Sequence, residues 1–417
     1  MKRRVFLSAL AFVICLALAL PVFAQKVKLT VWGIDFADGD PTHAYTKALV
    51  DGFRAKYPDI DLDYVALGDD PIKDKIKIGM ATNTGLPDVY DSYGGSGMGF
   101  YADAGKLLDL TAELRSVPTS SAALTAMTWK GKIYGVAPFF AVGGIFINEG
   151  LFKARNLTPP KTYDDLVKVA GALKAAGIQP IACGEKDKWP GLILYMYLTD
   201  RYGGSDAYLK AAARKARFDG DAFVKAALLV QDWAKKGYFG DKPLGEAYDD
   251  ANQLMASGKA GMQVTGSWMC ALYASKGYTD QTLGFYPFPT MADGRGPSTD
   301  VMAFTDIGFS ACAQSASKKD AIVRFMKFAM SPEVVATDFG RVTTVPNVRA
   351  PTRLSEMATA VLAKAKVVQF WWDQDLPPTV TTPVTDAIQS FFLPDTDVKN
   401  SLTRFENLAI ENMGPAK

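Results

Sequence analysis

Four places in the chain set a carboxylate beside an aromatic ring: Trp32 with Asp35, Tyr90 with Asp91, Glu185 with Trp189, and Trp371-Trp372 with Asp373. Sugars call for this combination. An aromatic face packs against the apolar C–H face of a pyranose, and an ionised carboxylate accepts hydroxyl hydrogen bonds contributing about 1.5 to 3 kcal/mol each. Two carboxylates at the right separation also serve glycoside hydrolysis, and sequence spacing alone leaves that chemistry open.

Other chemistries find little support. His43 is the single histidine, and neither a CxxC pair nor an HExxH motif occurs, so no metal is expected. A Ser-His-Asp triad would depend on that same residue, and no G-x-S-x-G elbow supplies a nucleophile. Gly97-Met98-Gly99-Phe100-Tyr101-Ala102 fits G-x-G-x-x-A, but the acid that should follow about 20 residues later is missing from Val117 to Ala122. No cofactor is expected, and the two glycines read as sites of close backbone approach or tight turning.

The elements that must carry these residues alternate. Lys28 to Trp32 reads as a strand; Tyr45, Leu49, Phe53 and Tyr57 recur at helical spacing before Pro58; Ile60, Leu62 and Tyr64 alternate again. Ile72, Ile76 and Met80 suggest a further helix, and Pro87-Asp88-Val89-Tyr90 enters a third strand ending at Gly94-Gly95. Thr162 with Asp165 forms a capping box ahead of Leu166, Val169, Ala170 and Leu173, and a strand follows from Gln179 to Cys183. Ser317 with Asp320 repeats the capping pattern, and Ser331-Pro332 opens another helix. The class is α/β. On this pattern Trp233 is helix core and Trp129 covers a hairpin, whereas Pro190 and Gly266 place Trp189 and Trp268 in loops. At most one of Trp371 and Trp372 faces the ligand, because neighbours in an extended segment point opposite ways.

Residues 1–24 read as an export leader: Lys2, Arg3 and Arg4, an apolar run from Val5 to Leu20, and Val22-Phe23-Ala24 before Gln25. The run is too short to span a bilayer before Pro21, and Cys15 lacks the small neighbours of a lipid-attachment site. The leader holds three of the 46 Lys and Arg and none of the 44 Asp and Glu, so the mature chain is close to neutral and shows no general attraction to nucleic acid. The remaining length exceeds one hydrophobic core and predicts two lobes. Cys183, Cys270 and Cys312 survive maturation, and a bridge between the first two is open.

In order and spacing the chain resembles the sugar-binding solute-binding proteins of ABC importers, often called family 1, over nearly all of residues 26 to 413. The landmarks are Pro87-Asp88-Val89 with Gly94-Gly95, Ala104-Gly105-Lys106-Leu107-Leu108-Asp109-Leu110, and Gly131-Lys132-Ile133-Tyr134-Gly135-Val136. Asp187-Lys188-Trp189-Pro190, Gly266-Ser267-Trp268 and Asp373-Gln374 with Pro377-Pro378 continue the series. The resemblance implies a two-lobed periplasmic binding protein fold of type II, with the ligand cleft between lobes joined by crossover strands. Lobe one would take residues 26–137 plus 306–342, and lobe two 138–305 plus 343–417.

By the same resemblance the pocket is built from Trp32, Asp35, Ser92, Tyr93, Glu185, Lys188, Trp189, Trp268, Asp306, Trp372 and Asp373. The implied protein is a periplasmic monomer and not an enzyme, binding a sugar and serving the permease subunits of an ABC transporter. Phe139-Phe140 departs from the more polar stretch of relatives, and Phe140 is expected to reshape the cleft. The alternatives are a carrier of another small solute (an amino acid, polyamine or polyol) and a secreted glycoside hydrolase.

Overall fold

The computed structural model describes residues 26–34, 43–275 and 282–417. The leader segment and Asp35 lie outside the described residues. Strands β1 (Val27–Ile34), β2 (Ile60–Leu67) and β3 (Val89–Asp91) alternate with the helices His43–Lys56 and Asp69–Thr82, as the periodicity requires. Tyr45, Leu49 and Phe53 are the buried stripe of the first helix. After a small hairpin of β4 (Thr128–Trp129) and β5 (Lys132–Ile133) comes β6 (Gly135–Asn148), buried along all 14 residues. The chain continues through β7 (Gln179–Ala182), β8 (Ala260–Gly266), β9 (Leu283–Tyr286), β10 (Asp300–Ala311), β11 (Val342–Thr343) and β12 (Val367–Gln369).

The main sheet has the order β2-β1-β3-β10-β6-β8-β7, with β9 and β11 paired to β6 and β12 paired to β10. β1 runs parallel to β2 and β3, whereas β10 is antiparallel to both β3 and β6. The first half of β6 pairs with β10, from Gly135 opposite Ser310 to Val142 opposite Ala303. Its second half pairs with β8 and β9, from Gly143 to Asn148. One long strand therefore carries the chain from one half of the sheet into the other, and β11 joins it there at Phe139 and Phe140.

Two hydrophobic cores follow from this arrangement. The first covers β1–β3 and their helices and extends past the crossing to Tyr273 and Phe285. The second fills the remaining half, around Tyr195, Trp233 and Trp372. Phe140 is buried in the first core at the crossing. No disulfide joins Cys183 to Cys270: the thiols sit in different cores.

Local signals were realised unevenly. The Thr162–Asp165 capping box is present, with the Asp165 amide donating to Thr162 Oγ1 at 3.2 Å and the Thr162 amide to Asp165 Oδ2 at 3.1 Å. Ser317 caps nothing, because a 3-10 turn over Ala313–Lys318 runs directly into the helix Lys319–Ala329. Such a turn satisfies leading amides through the backbone and leaves the hydroxyl no part in the cap.

Candidate functional site

The carboxyl ends of β1–β3 point toward the crossing, the position at which open α/β sheets take ligands. From the other side, β8 ends at Gly266, and Ser267 is locked to β6 by its amide on the Val142 carbonyl (2.9 Å) and its Oγ accepting from the Val142 amide (3.1 Å). That clamp delivers Trp268 over the crossing. Tyr93, Trp268 and Phe370 each pack against both cores, so they mark where the two halves meet.

Aromatic rings form a continuous run there. Tyr93 lies 5.4 Å from Phe304 between ring centroids, and Phe304 lies 4.2 Å from Trp371. Trp371 meets Trp268 edge-on at 4.9 Å; Trp268 is 5.9 Å from Trp189, and Trp189 is 4.4 Å from Tyr248. The Trp268 indole donates to the Tyr248 hydroxyl at 2.8 Å. By contrast, the buried Trp371 Nε1, like those of Trp233 and Trp372, has no hydrogen-bond partner among the described residues.

Carboxylates gather beside the rings. Asp91, the last residue of β3, is 5 % exposed, with the Ile34 backbone amide beside its carboxyl. Burial pushes its pKa well above the usual carboxylate range; Asp69 and Asp306 add to the shift and the Arg341 guanidinium opposes it. Asp306 is the extra residue of β10 at a register irregularity between Thr305 and Ile307, which re-aims the strand. Its Oδ2 lies 3.3 Å from Arg341 Nε, and burial still raises its pKa to about 6. Arg341 is held in turn by Asp338 at 2.8 Å. Asp373 is raised as well, by burial first, with Lys73 opposing and Asp69 adding. Asp69 accepts from the Tyr93 hydroxyl and pairs with Lys73 at 2.7 Å, and the Lys73 ammonium lies 5.2 Å from the Tyr93 ring centroid. Among the described residues no group of three or more acids, histidines or cysteines is arranged to hold a metal ion.

The sequence family of bacterial extracellular solute-binding proteins matches residues 38–336. The chain belongs to that family. Among its relatives, an uncharacterised ABC-transporter extracellular-binding protein of Pyrococcus horikoshii is 26 % identical over 246 residues, 57 % of this chain and 56 % of the other. The multiple sugar-binding protein of Streptococcus mutans is 26 % identical over 288 residues, 63 % of this chain and 67 % of that one. The chain thus spans little more than half the length of the first relative. Of solved structures, a chitin oligosaccharide binding protein superposes with a TM-score of 0.85 at 25 % identity, covering 93 % of this chain and 99 % of that one. One concerned with xylan utilisation by the thermophilic bacterium Caldanaerobius polysaccharolyticus gives 0.83 at 26 %, covering 91 % and 99 %. The solute-binding protein has the two-lobed α/β fold of these sugar-binding proteins.

The residues expected in its pocket fall into three groups. Tyr93, Trp189, Trp268, Asp306 and Asp373 belong to the aromatic run or to the acids beside it. Ser92 is buried next to them, its amide donating to the Gly308 carbonyl at 3.0 Å. Lys188 is turned to the surface, paired with Asp386 at 2.6 Å. Trp32 borders a separate surface depression with Pro87, Asp88 and Lys318, and the Lys75 ammonium lies 5.9 Å from its ring.

Two expectations are corrected. Trp372 is fully buried in the second core, stacked on Tyr208 at 4.7 Å and edge-on to Tyr195 at 5.6 Å; Trp371 is the neighbour that joins the aromatic run. Glu185 is also 0 % exposed. Its Oε2 accepts the Gly191 amide at 2.6 Å in the first turn of the helix Trp189–Gly203, where a carboxylate complements the orphan N–H groups. Sequence reading missed Asp69, Lys73, Tyr248, Phe304 and Arg341. The Asp69–Lys73 pair had a signal, since Asp and Lys at i,i+4 open the helix that follows β2 at the same sheet end as Asp91.

Proposed function

We propose that this protein captures a sugar in the periplasm, between lobes bounded as 26–137 plus 306–342 and 138–305 plus 343–417, and presents it to an ABC permease without chemical change. The observation that carries the reading is the meeting of an aromatic run with buried polar groups beside it: the acids Asp91, Asp306 and Asp373, and the Trp371 indole N–H. A sugar supplies hydroxyl donors for the one, hydroxyl acceptors for the other, and C–H faces for the rings. The names of the Streptococcus mutans relative and of the chitin oligosaccharide binding protein support the same ligand class.

On this reading one lobe holds the sugar first and the other adds contacts made only on closing. The sugar must therefore bind the closed form better than the open one, since equal affinity for both shifts nothing. Small-angle scattering tests the motion: compaction on adding a tightly bound sugar is expected, and unchanged dimensions at saturation would refute it. The raised carboxyls of Asp91 and Asp306 also suit acid catalysis. Steady turnover of chromogenic glycosides would favour a hydrolase, and stoichiometric retention supports the carrier.

A further inference from the structure

Trp372 has a role other than ligand contact. Sealed against Tyr208 and Tyr195, it bolts the segment 370–375 to the second core. From that anchor the segment reaches back to the helix Gly95–Asp103, which packs on the first core through Met98 and against Trp129. The Ser96 amide, in the first turn of this helix, donates to Asp375 Oδ1 at 3.1 Å, and the Tyr208 hydroxyl donates to Asp375 Oδ2 at 2.8 Å. One carboxylate thus takes a hydrogen bond from each lobe.

The approach is close because of the glycines that resembled a nucleotide-binding motif. A Cβ on Gly97 would come within 2.3 Å of the Gln374 carbonyl oxygen, and one on Gly99 within 2.3 Å of the Trp129 ring. Glycine at 97 lets the helix backbone lie directly on the strap. The helix terminus offers an unpaired N–H and a partial positive charge, which an ionised carboxylate complements better than a neutral acceptor.

We propose that Asp375 is a positioning residue that latches the two lobes. It sets how much of the unliganded population is closed, and through that fraction the apparent affinity for the solute. The latch consists only of protein atoms, so it acts whatever sugar is carried. The proposal rests on the hinge reading given above.

The test uses spin labels on Ile78→Cys, 64 % exposed on the first lobe, and Leu228→Cys, 47 % exposed on the second; the native thiols are buried and escape labelling. Interlobe distances are measured without sugar and with the saccharide giving the largest stabilising shift in a melting screen. Asp375→Ala should move the unliganded distribution toward longer distances and weaken binding of that saccharide about tenfold through a faster off-rate. Gly97→Ala, a wedge at the same contact, should act in the same direction, and Asp375→Asn, which keeps one acceptor, should recover part of the loss. If both Asp375→Ala and Gly97→Ala leave the unliganded distribution and the affinity as in the parent, the latch is refuted. If the saccharide binds the parent without shortening its interlobe distance, the hinge reading fails instead.

Discussion

Trp268 donates its indole N–H to the Tyr248 hydroxyl at 2.8 Å, and that oxygen shares a further hydrogen bond of 2.8 Å with Thr265 Oγ1. The tryptophan is therefore fixed before any solute arrives, held through a strand residue of β8 on one side and by Trp371 on the other. A ring ordered in advance loses less conformational entropy on binding than a mobile one.

Trp268→Ala should weaken sugar binding by more than tenfold, because it removes the centre of the aromatic run. Tyr248→Phe keeps the ring beside Trp189 but frees the indole, and a loss of about threefold is expected. Titration calorimetry on both variants checks this. Equal affinity for the parent and Trp268→Ala would remove that residue from the pocket.

Trp371 and Trp372 should behave differently although they are adjacent. Trp372→Ala opens a cavity in the second core and should cost about 3 to 5 kcal/mol of stability. Trp371→Ala should reduce affinity as well as stability, because Trp371 is buried in the same core, whereas Trp372→Ala should leave affinity within about twofold. A reversal of the two effects on affinity would mean that the assignment of core and pocket is inverted.

Glu185→Gln should leave sugar affinity within about twofold. Burial raises the Glu185 pKa well above its ordinary value, so the parent's contribution from this group is present below the unfolded carboxylate pKa and lost as pH rises. The variant has no such group to ionise. Its stability relative to the parent should therefore increase from acid to neutral pH, as read in denaturant titrations at a series of pH values.

Asp306 gives a narrower window. Its folded pKa near 6 lies above the ordinary 3.8, so the folded protein binds more protons between those values and stability falls as pH rises through them. The span corresponds to at most about 3 kcal/mol. Asp306→Asn should flatten the unliganded stability profile between about pH 4 and 6. Parallel profiles for parent and variant would contradict the assignment.

Much of this architecture was written in local pattern. The alternation of Lys28 to Trp32, the stripe of Tyr45, Leu49 and Phe53, and the Thr162–Asp165 box each depend on residues within a turn or two, and each appears as read. The loop signal at Gly266 likewise placed Trp268 in the turn after β8, whereas Trp189, read as a loop residue, opens the helix Trp189–Gly203. What failed was anything decided at a distance. Alternation separates Trp371 from Trp372 but does not say which goes inward; the ring of Tyr208, far earlier in the chain, decides it. Glu185 stood next to an aromatic residue in sequence, yet a 3-10 turn over Glu185–Asp187 and a left-handed Lys188 (φ 66°) turn its carboxylate beneath the Gly191 amide. Arg341 reaches the site only through sheet order, which no window of sequence contains.

Thermal denaturation of the mature protein against a panel of mono- and oligosaccharides, including chito- and xylo-oligosaccharides, with amino acids and polyamines alongside, tests the central claim most directly. A ligand that binds only the folded form raises the melting temperature in proportion to the logarithm of its concentration once in excess. The account predicts such a rise for at least one saccharide and none for the amino acids or polyamines. A rise with an amino acid or polyamine and with no saccharide would contradict it.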